Sequence, residues 1–430
     1  MSKHHKILYE HQPLKLGEGL EAGQLKALQG FYGSGGVPYF SLINNGVKFC
    51  EYVGVIQVGN LVVEVLPKAD RREDLPGEKA KWQSILIGML KAVGVFDVKA
   101  PSSSHLTIKT NSILDLYFNL FINEVEYLLR LGLIRQYRKI EGNRTALKGR
   151  LVFSRQIREN LVHQERFYTR YTAYDNEHLW HIILHKAIRL IKILTSNAEI
   201  QSRIGALELY FPCMPDLAVT KQSFEKLRYS RKTECYRPAI EIARLLLLNY
   251  HPDVRKGKNS VLALMFDMNT LWELFVYASL RRKFARLEGI SVQKQSSRLF
   301  WEDGENRHTV RLRPDLLIRD RQNGIDIVWD TKWKVPGDLT PSAGDLQQLF
   351  AYSRLFGARF VALVYPGPTR QSLTGSYHAS LSPFGGTSNC GVITIPPNQN
   401  IQEWQEEIYH SFEKWEQEQL DGEELEEGLA

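Results

Sequence analysis

Apolar and polar positions along the chain change period twice, and the changes divide it into stretches of different structure. Residues 1–70 read as β-rich with glycine-containing turns: Gly30 to Gly36 is a breaker, and Lys48 to Leu66 has the pattern of a hairpin. Val53, Val55 and Gln57 run into Gly59-Asn60, a pair suited to a tight turn, and Leu61 to Leu66 then runs to a stop at Pro67. The charged stretch Lys68 to Lys81 reads as a surface linker into a helix at Trp82 to Val93. Apolar residues recur at helical spacing from Leu114 to Leu133, from Glu177 to Leu194 and from Ala239 to Leu248, so the middle is expected to be mainly helical. From Leu264 onward the order becomes helix, strands, helix, strand, the mark of an α/β unit. The expectation is an α+β multi-domain chain: a β-rich N-terminal domain at 1–100, a helical middle domain at 101–255, an α/β core at 256–400, and an acidic C-terminal helix or tail at 401–430.

Composition narrows the class only slightly. A chain of 430 residues with 43% hydrophobic content is long enough for two to four domains and too apolar to be disordered. Its longest aliphatic run, Leu245 to Leu248, is far below the ~20 residues a membrane helix needs. The first residues are basic but do not run into an apolar segment, so no secretory signal is legible. Four cysteines without a Cys-x-x-Cys pair argue against a disulfide framework or a structural zinc site, and a reducing cytoplasm fits.

Charge says more. The formal net charge of +7 conceals a tail, residues 401–430, with eleven acids and only Lys414 as a base, which leaves the other 400 residues at +17. A body this basic suits a polyanion. Nine bases lie between Arg130 and Arg158 against the single acid Glu141, with Tyr137 and Phe153 interleaved. Within this stretch Arg138, Lys139, Arg144, Lys148 and Arg150 are candidate DNA phosphate contacts. A second cluster follows at Lys226, Arg228, Arg231, Lys232 and Arg237. A solvated face, or contact with an acidic protein surface, is the alternative for both.

The stretch that points to chemistry is Arg311 to Trp333, in which two strand-like runs flank Asn323-Gly324. If those two residues form the turn, Gln322 pairs with Ile325, Leu317 lies opposite Asp330, and Asp315 lies opposite Lys332, all on one face. Asp315 and Asp330 on that diagonal can share one cation with Lys332 beside them. Two carboxylates and a phosphate oxygen suit Mg²⁺, and a nearby ammonium can orient a nucleophile in phosphodiester hydrolysis. The bland alternative is a charged hairpin face with a surface ion pair. Pro314 cannot donate to a ladder and argues for an edge or a bulge. Flanking helices add Gln348 and Tyr352, four apart on one face, and Glu273, whose ordinary reading is the capping box Thr270-x-x-Glu273.

The order Glu273, Pro314-Asp315, Asp330-Thr331-Lys332, Gln348-x-x-x-Tyr352 resembles the PD-(D/E)xK nuclease superfamily in its variant with a helical Glu and a trailing QxxxY motif. The resemblance extends further. Leu271 to Phe275, Trp329 to Trp333, Phe360 to Pro366, Leu147 to Leu151 and Asp175-Asn176 are similar to the McrC family of McrBC modification-dependent restriction systems, as are Tyr52 to Ile56 and Val63 to Lys68. It covers about residues 50–400. It implies a PD-(D/E)xK restriction-endonuclease-like core in which Asp315, Asp330 and Glu273 hold Mg²⁺, Lys332 orients the nucleophile and Gln348 supports the site. It also implies a subunit that joins a McrB-like hexameric AAA+ GTPase, stimulates its GTP hydrolysis, and cuts DNA carrying a modified cytosine of the 5-methylcytosine type. The chain has no G-x-x-x-x-G-K-[ST], so it is not expected to hydrolyse GTP itself. Two other functions stay open: a non-cleaving activator of the AAA+ GTPase, and a stand-alone DNA repair nuclease. His181 and His185, four apart on a helix, lack the HExxH pattern and read as packing or surface residues.

Overall fold

A computed structural model describes residues 4–33, 35–67, 78–94, 112–252, 260–304, 308–321, 324–334, 339–378 and 389–429. The expected turn residue Asn323 and most of the charged linker lie outside them. The chain divides into two compact units, one of 57–60 and 96–264 together with 1–3, the other of 4–56, 61–95 and 265–430.

In the first unit, helices Ile113–Leu131, Leu179–Leu194, Ala198–Tyr210 and Arg237–Leu248 pack through apolar stripes. The side chain of Ser112 caps the first of them by accepting from Asp115 N, and Gly132 ends it at φ +85. His181 is completely buried, with Nδ1 2.6 Å from Asn176 O and Nε2 2.9 Å from Tyr236 Oη. Burial lowers its pKa to about 4, so it is a neutral packing residue. Beside these helices the middle holds a small sheet that the helical pattern does not announce. Gln136–Arg144, Phe167–Asp175 and Arg150–Leu151 form an antiparallel sheet with Phe167–Asp175 in the centre. The outer strand alternates half-buried and exposed positions along Gln136 to Gly142, a period of two that the density of charge obscures.

The second unit begins with strand His4–Tyr9, parallel to Leu61–Leu66, and a small antiparallel sheet of Pro13–Lys15, Gly46–Phe49 and Phe40–Ile43. Gly59, at φ +59, turns Tyr52–Val58 into Leu61–Leu66, as the hairpin pattern predicts. Helix Glu78–Ala92 follows.

The larger sheet in this unit carries the candidate site. Its strand order is Ile290–Lys294, Leu316–Asp320, Ile325–Thr331, Phe360–Pro366, Asn389–Ile395, Gln371–Ser376. Each of the first three strands is antiparallel to its neighbour, the three from Ile325–Thr331 to Asn389–Ile395 are parallel, and the last pairs antiparallel at the edge. All seven residues of Phe360–Pro366 are buried, as expected of a strand covered on both faces. On one face Leu349, Tyr352 and Phe356 of helix Ala343–Phe356 pack against Leu317, Val328, Val361 and Leu363. On the other, helices Met268–Phe284 and Ile401–Leu429 bring Trp272, Phe275, Trp404, Phe412 and Trp415 together, with Trp329 against Phe412 and Trp415. Trp272 Nε1 donates to Val364 O at 3.3 Å, tying the Glu273 helix to the sheet.

The acidic C-terminal segment is therefore a core element along its first half. Trp404, Ile408, Phe412 and Trp415 recur at helical spacing and are buried, while Glu403, Glu406, Glu413 and Glu418 face outward. Gly391 is glycine because Trp415 lies over it: a Cβ there would overlap the indole ring. Among the described residues no helix is long and apolar enough to cross a membrane.

Candidate active site

The hairpin that carries Asp315 and Asp330 forms, but not in the register expected of a two-residue Asn-Gly turn. Asp320 pairs with Ile325, Leu317 with Val328 and Leu316 with Trp329. The connection runs from Arg321 to Gly324, with Gly324 at φ +67, and the Arg321 N–H is taken by Gly289 O, in the turn that precedes the neighbouring strand Ile290–Lys294. This slips the pairing by two residues. A slip of two keeps every side chain on its face, but it moves Asp315 from opposite Lys332 to level with Asp330, one step beyond Leu316 and Trp329. Pro314 precedes the strand and leaves the ladder intact.

Asp330 is buried, 1% exposed, on the face covered by helix Ala343–Phe356. Its counter-charge is Lys332, with Nζ 2.7 Å from Oδ2, and beyond that ion pair its oxygens accept no hydrogen bond among the described residues. Asp315 Oδ2 accepts from both Thr331 N and Thr331 Oγ1 at 2.7 Å, which docks the start of its strand on the end of the next. Lys332 Nζ donates to Gln348 Oε1 at 3.4 Å. Gln348 Nε2 donates to Tyr352 Oη at 2.6 Å, and that hydroxyl donates to Arg313 O at 2.9 Å. The pair Gln348 and Tyr352 thus links Lys332 to the segment leading into Asp315.

Glu273 reaches the site by a route the capping-box pattern hides. The cap of its helix is Asp267, whose side chain accepts from Thr270 N, which leaves Glu273 inside the helix and 7% exposed. Its oxygens accept from Gln295 Nε2 at 3.0 and 3.4 Å.

The electrostatics follow from crowding acids in a buried place. Asp330 is held above the ordinary carboxylate range by burial and then by Asp315, against the pull of Lys332. Burial alone would lower the Lys332 pKa, but Asp330, with Asp315 and Asp345, raises it, so the ammonium stays charged. Glu273 is pushed up to about 7 by burial and by Asp315, the Gln295 hydrogen bond opposing. A carboxyl whose folded pKa lies above its ordinary 4.5 favours folding while protonated, and that contribution is lost as pH rises through about 7. In metal-free protein the thermal midpoint should therefore fall from pH 5 to pH 8, and by less in Glu273→Gln, which has no proton to lose. An equal fall in both proteins would contradict this assignment.

Among the described residues no three His, Cys, Asp or Glu side chains stand close enough to form a ready metal cage. The donors nevertheless suit a hard divalent cation. Burial and Asp315 both disfavour the charge on Asp330, and among the described residues its only partner is the ion-paired Lys332. Mg²⁺ commonly takes one or two carboxylates and completes its shell with water and phosphate oxygens.

The five basic candidates lie in the other unit. Lys139, Arg144, Lys148 and Arg150 are exposed, and Arg144 and Lys148 both lie over the Tyr171 ring, at 4.5 and 4.6 Å. Arg138 is half-buried and paired with Asp175 at 3.0 Å and Glu177 at 2.8 Å.

Residues 47–366, which contain every residue of the candidate active site, match the model of a family described as McrBC 5-methylcytosine restriction system component. The chain belongs to the McrBC family. A curated relative, the type IV methyl-directed restriction enzyme EcoKMcrBC of Escherichia coli (strain K12), is 24% identical over 221 residues, covering 50% of this chain and 63% of that relative. The fold is shared with a chain of the refined half-complex from a tetradecameric assembly of Thermococcus gammatolerans McrB AAA+ hexamers with bound McrC, at TM-score 0.67 and 19% identity. The match covers 96% of this chain and 100% of that one.

Three residues around the site carried no sequence signal. Gln295 sits at φ +49, a left-handed conformation unusual for glutamine. Asn269 Oδ1 accepts from Trp333 N at 3.1 Å, and Glu10 Oε1 accepts from Trp333 Nε1 at 3.0 Å, fixing the chain just beyond Lys332. Glu10 is 323 positions from its partner, a distance across which no periodicity speaks.

Proposed function

We propose that this chain is the DNA-cutting subunit of a modification-dependent restriction complex. It hydrolyses phosphodiester bonds with Mg²⁺ held by Asp315 and Asp330 and, as a third acid, Glu273. The observation that carries this reading is Asp315 hydrogen-bonded to Thr331, the residue after the buried Asp330, with the Lys332 ammonium 2.7 Å from Asp330. A PD-(D/E)xK endonuclease core is the fold reading supported by the mixed sheet, in which the Asp315 strand is antiparallel to the Asp330 strand and the latter crosses over through helix Ala343–Phe356 to a parallel neighbour. Bound Mg²⁺ would polarise the scissile phosphate and lower the pKa of a ligated water. Lys332, positioned by Asp330 and Gln348, orients the attacking water and offsets charge developing on the phosphate.

The partner is a McrB-like AAA+ GTPase hexamer, a reading supported by the shared fold with a chain of the assembly described as McrB hexamers with bound McrC. The substrate is DNA with a modified cytosine, supported by the family description. Lys139, Arg144, Lys148 and Arg150 contact its phosphates, and Arg138, held by two acids, contributes more to the sheet than to DNA.

A second reading, a non-cleaving activator of the GTPase, is favoured by the lack of a ready three-ligand cage among the described residues. Reconstitution separates the two. With a McrB-like partner, GTP and Mg²⁺, cleavage of 5-methylcytosine DNA that requires both chains is expected. Raised GTP hydrolysis with uncut DNA supports the activator, and cleavage by the isolated chain without nucleotide supports a stand-alone nuclease.

A further inference from the structure

We infer that Gln295 is a positioning residue of the divalent-cation site, aiming the Glu273 carboxylate at the space beside Asp315; this rests on the reading of Glu273, Asp315 and Asp330 as cation ligands.

Gln295 follows strand Ile290–Lys294 and takes φ +49, a region few non-glycine residues enter unless the surroundings hold them there. Two contacts do so. Its backbone N–H donates to Asp315 O at 3.0 Å, and its side-chain amide donates to both oxygens of Glu273, at 3.0 and 3.4 Å. One residue thus grips the main chain of one acid and the side chain of another, on elements far apart in sequence. The left-handed turn makes this possible, because it turns the side chain away from the path of the strand while the N–H stays on Asp315.

The chemistry of the grip matters for a cation. Glu273 is buried, and a buried carboxylate left without a donor either rotates or takes a proton, and in both cases it is lost as a ligand. An amide supplies hydrogen bonds without adding charge, so it fixes the carboxylate without competing with a cation as an ammonium would. Outer-shell partners of this kind commonly change metal affinity by about 10–100-fold.

The test is Mn²⁺ binding by the full chain, measured by calorimetry in wild type, Gln295→Gly, Gln295→Asn and Glu273→Gln. Glycine and asparagine both tolerate the left-handed backbone, so the thermal midpoint should hold while the amide is deleted or drawn back by one methylene. The expected result is a Mn²⁺ dissociation constant raised at least about tenfold in both Gln295 variants, approaching that of Glu273→Gln. Wild-type affinity in both Gln295 variants, with Glu273→Gln weakened, overturns the role of Gln295 alone. No Mn²⁺ binding by wild type overturns the cation site and this inference with it.

Discussion

Asp330→Asn should lower Mg²⁺-dependent cleavage of methylated DNA by at least about 100-fold, the scale on which single preorganised electrostatic groups act, while leaving assembly with the GTPase and GTP hydrolysis near wild type. The substitution keeps the size of a side chain that is 1% exposed, so packing against helix Ala343–Phe356 persists. What disappears is the negative charge that faces Asp315 across the strands and pairs with Lys332 at 2.7 Å. Both proposed tasks of the site, holding a cation and setting the lysine, depend on that charge. A supercoiled methylated plasmid incubated with the reconstituted complex gives the readout. Wild-type rates from the purified variant would remove Asp330 from the mechanism.

The second large effect is on stability. Trp404→Ala should cost about 3–5 kcal/mol, the usual penalty for emptying the place of a buried large aromatic. Trp404 is completely buried, stacked on Trp272 with centroids 5.5 Å apart and against Phe275 at 4.7 Å. Trp272 and Phe275 flank Glu273 on its helix, so the cavity opens beneath the element that delivers the third acid. Denaturant unfolding of the two proteins measures the loss. A loss below about 1 kcal/mol, the range of surface changes, would show that the first half of the acidic helix is not part of the core.

The parts of the site visible in the sequence are those set by short-range rules. A period of two along Leu316 to Asp320 and Ile325 to Thr331 puts Leu317 and Asp330 on one face, with Asp315 and Lys332 in the residues that flank the two strands. Gln348 and Tyr352 share a helix face because they are four apart, and the structure joins them at 2.6 Å. The register itself was not legible. The Asn-Gly signal weighs one turn in isolation, whereas the Arg321 N–H bonds Gly289 O, in the turn leading into a third strand, a competition that a two-strand pattern does not contain. Glu273 was obscured by a cap that Asp267 provides instead, one turn earlier. Gln295 and Glu10 act through tertiary contacts and a left-handed backbone, neither of which leaves a periodic trace. The acidic C-terminal segment forms the helix its sequence allows, and although eleven acids dominate its composition, four apolar residues at helical spacing decide where its first half packs.

The measurement closest to the central claim is the location of a bound cation. Crystals of the full chain grown with Mn²⁺ should give an anomalous scattering peak bonded to carboxylate oxygens of Asp315 and Asp330, at about 2.0–2.2 Å as for a hard six-coordinate cation. A well-ordered site with no peak at saturating Mn²⁺, or a peak held by other residues, would contradict the assignment of these aspartates as the metal ligands of the nuclease.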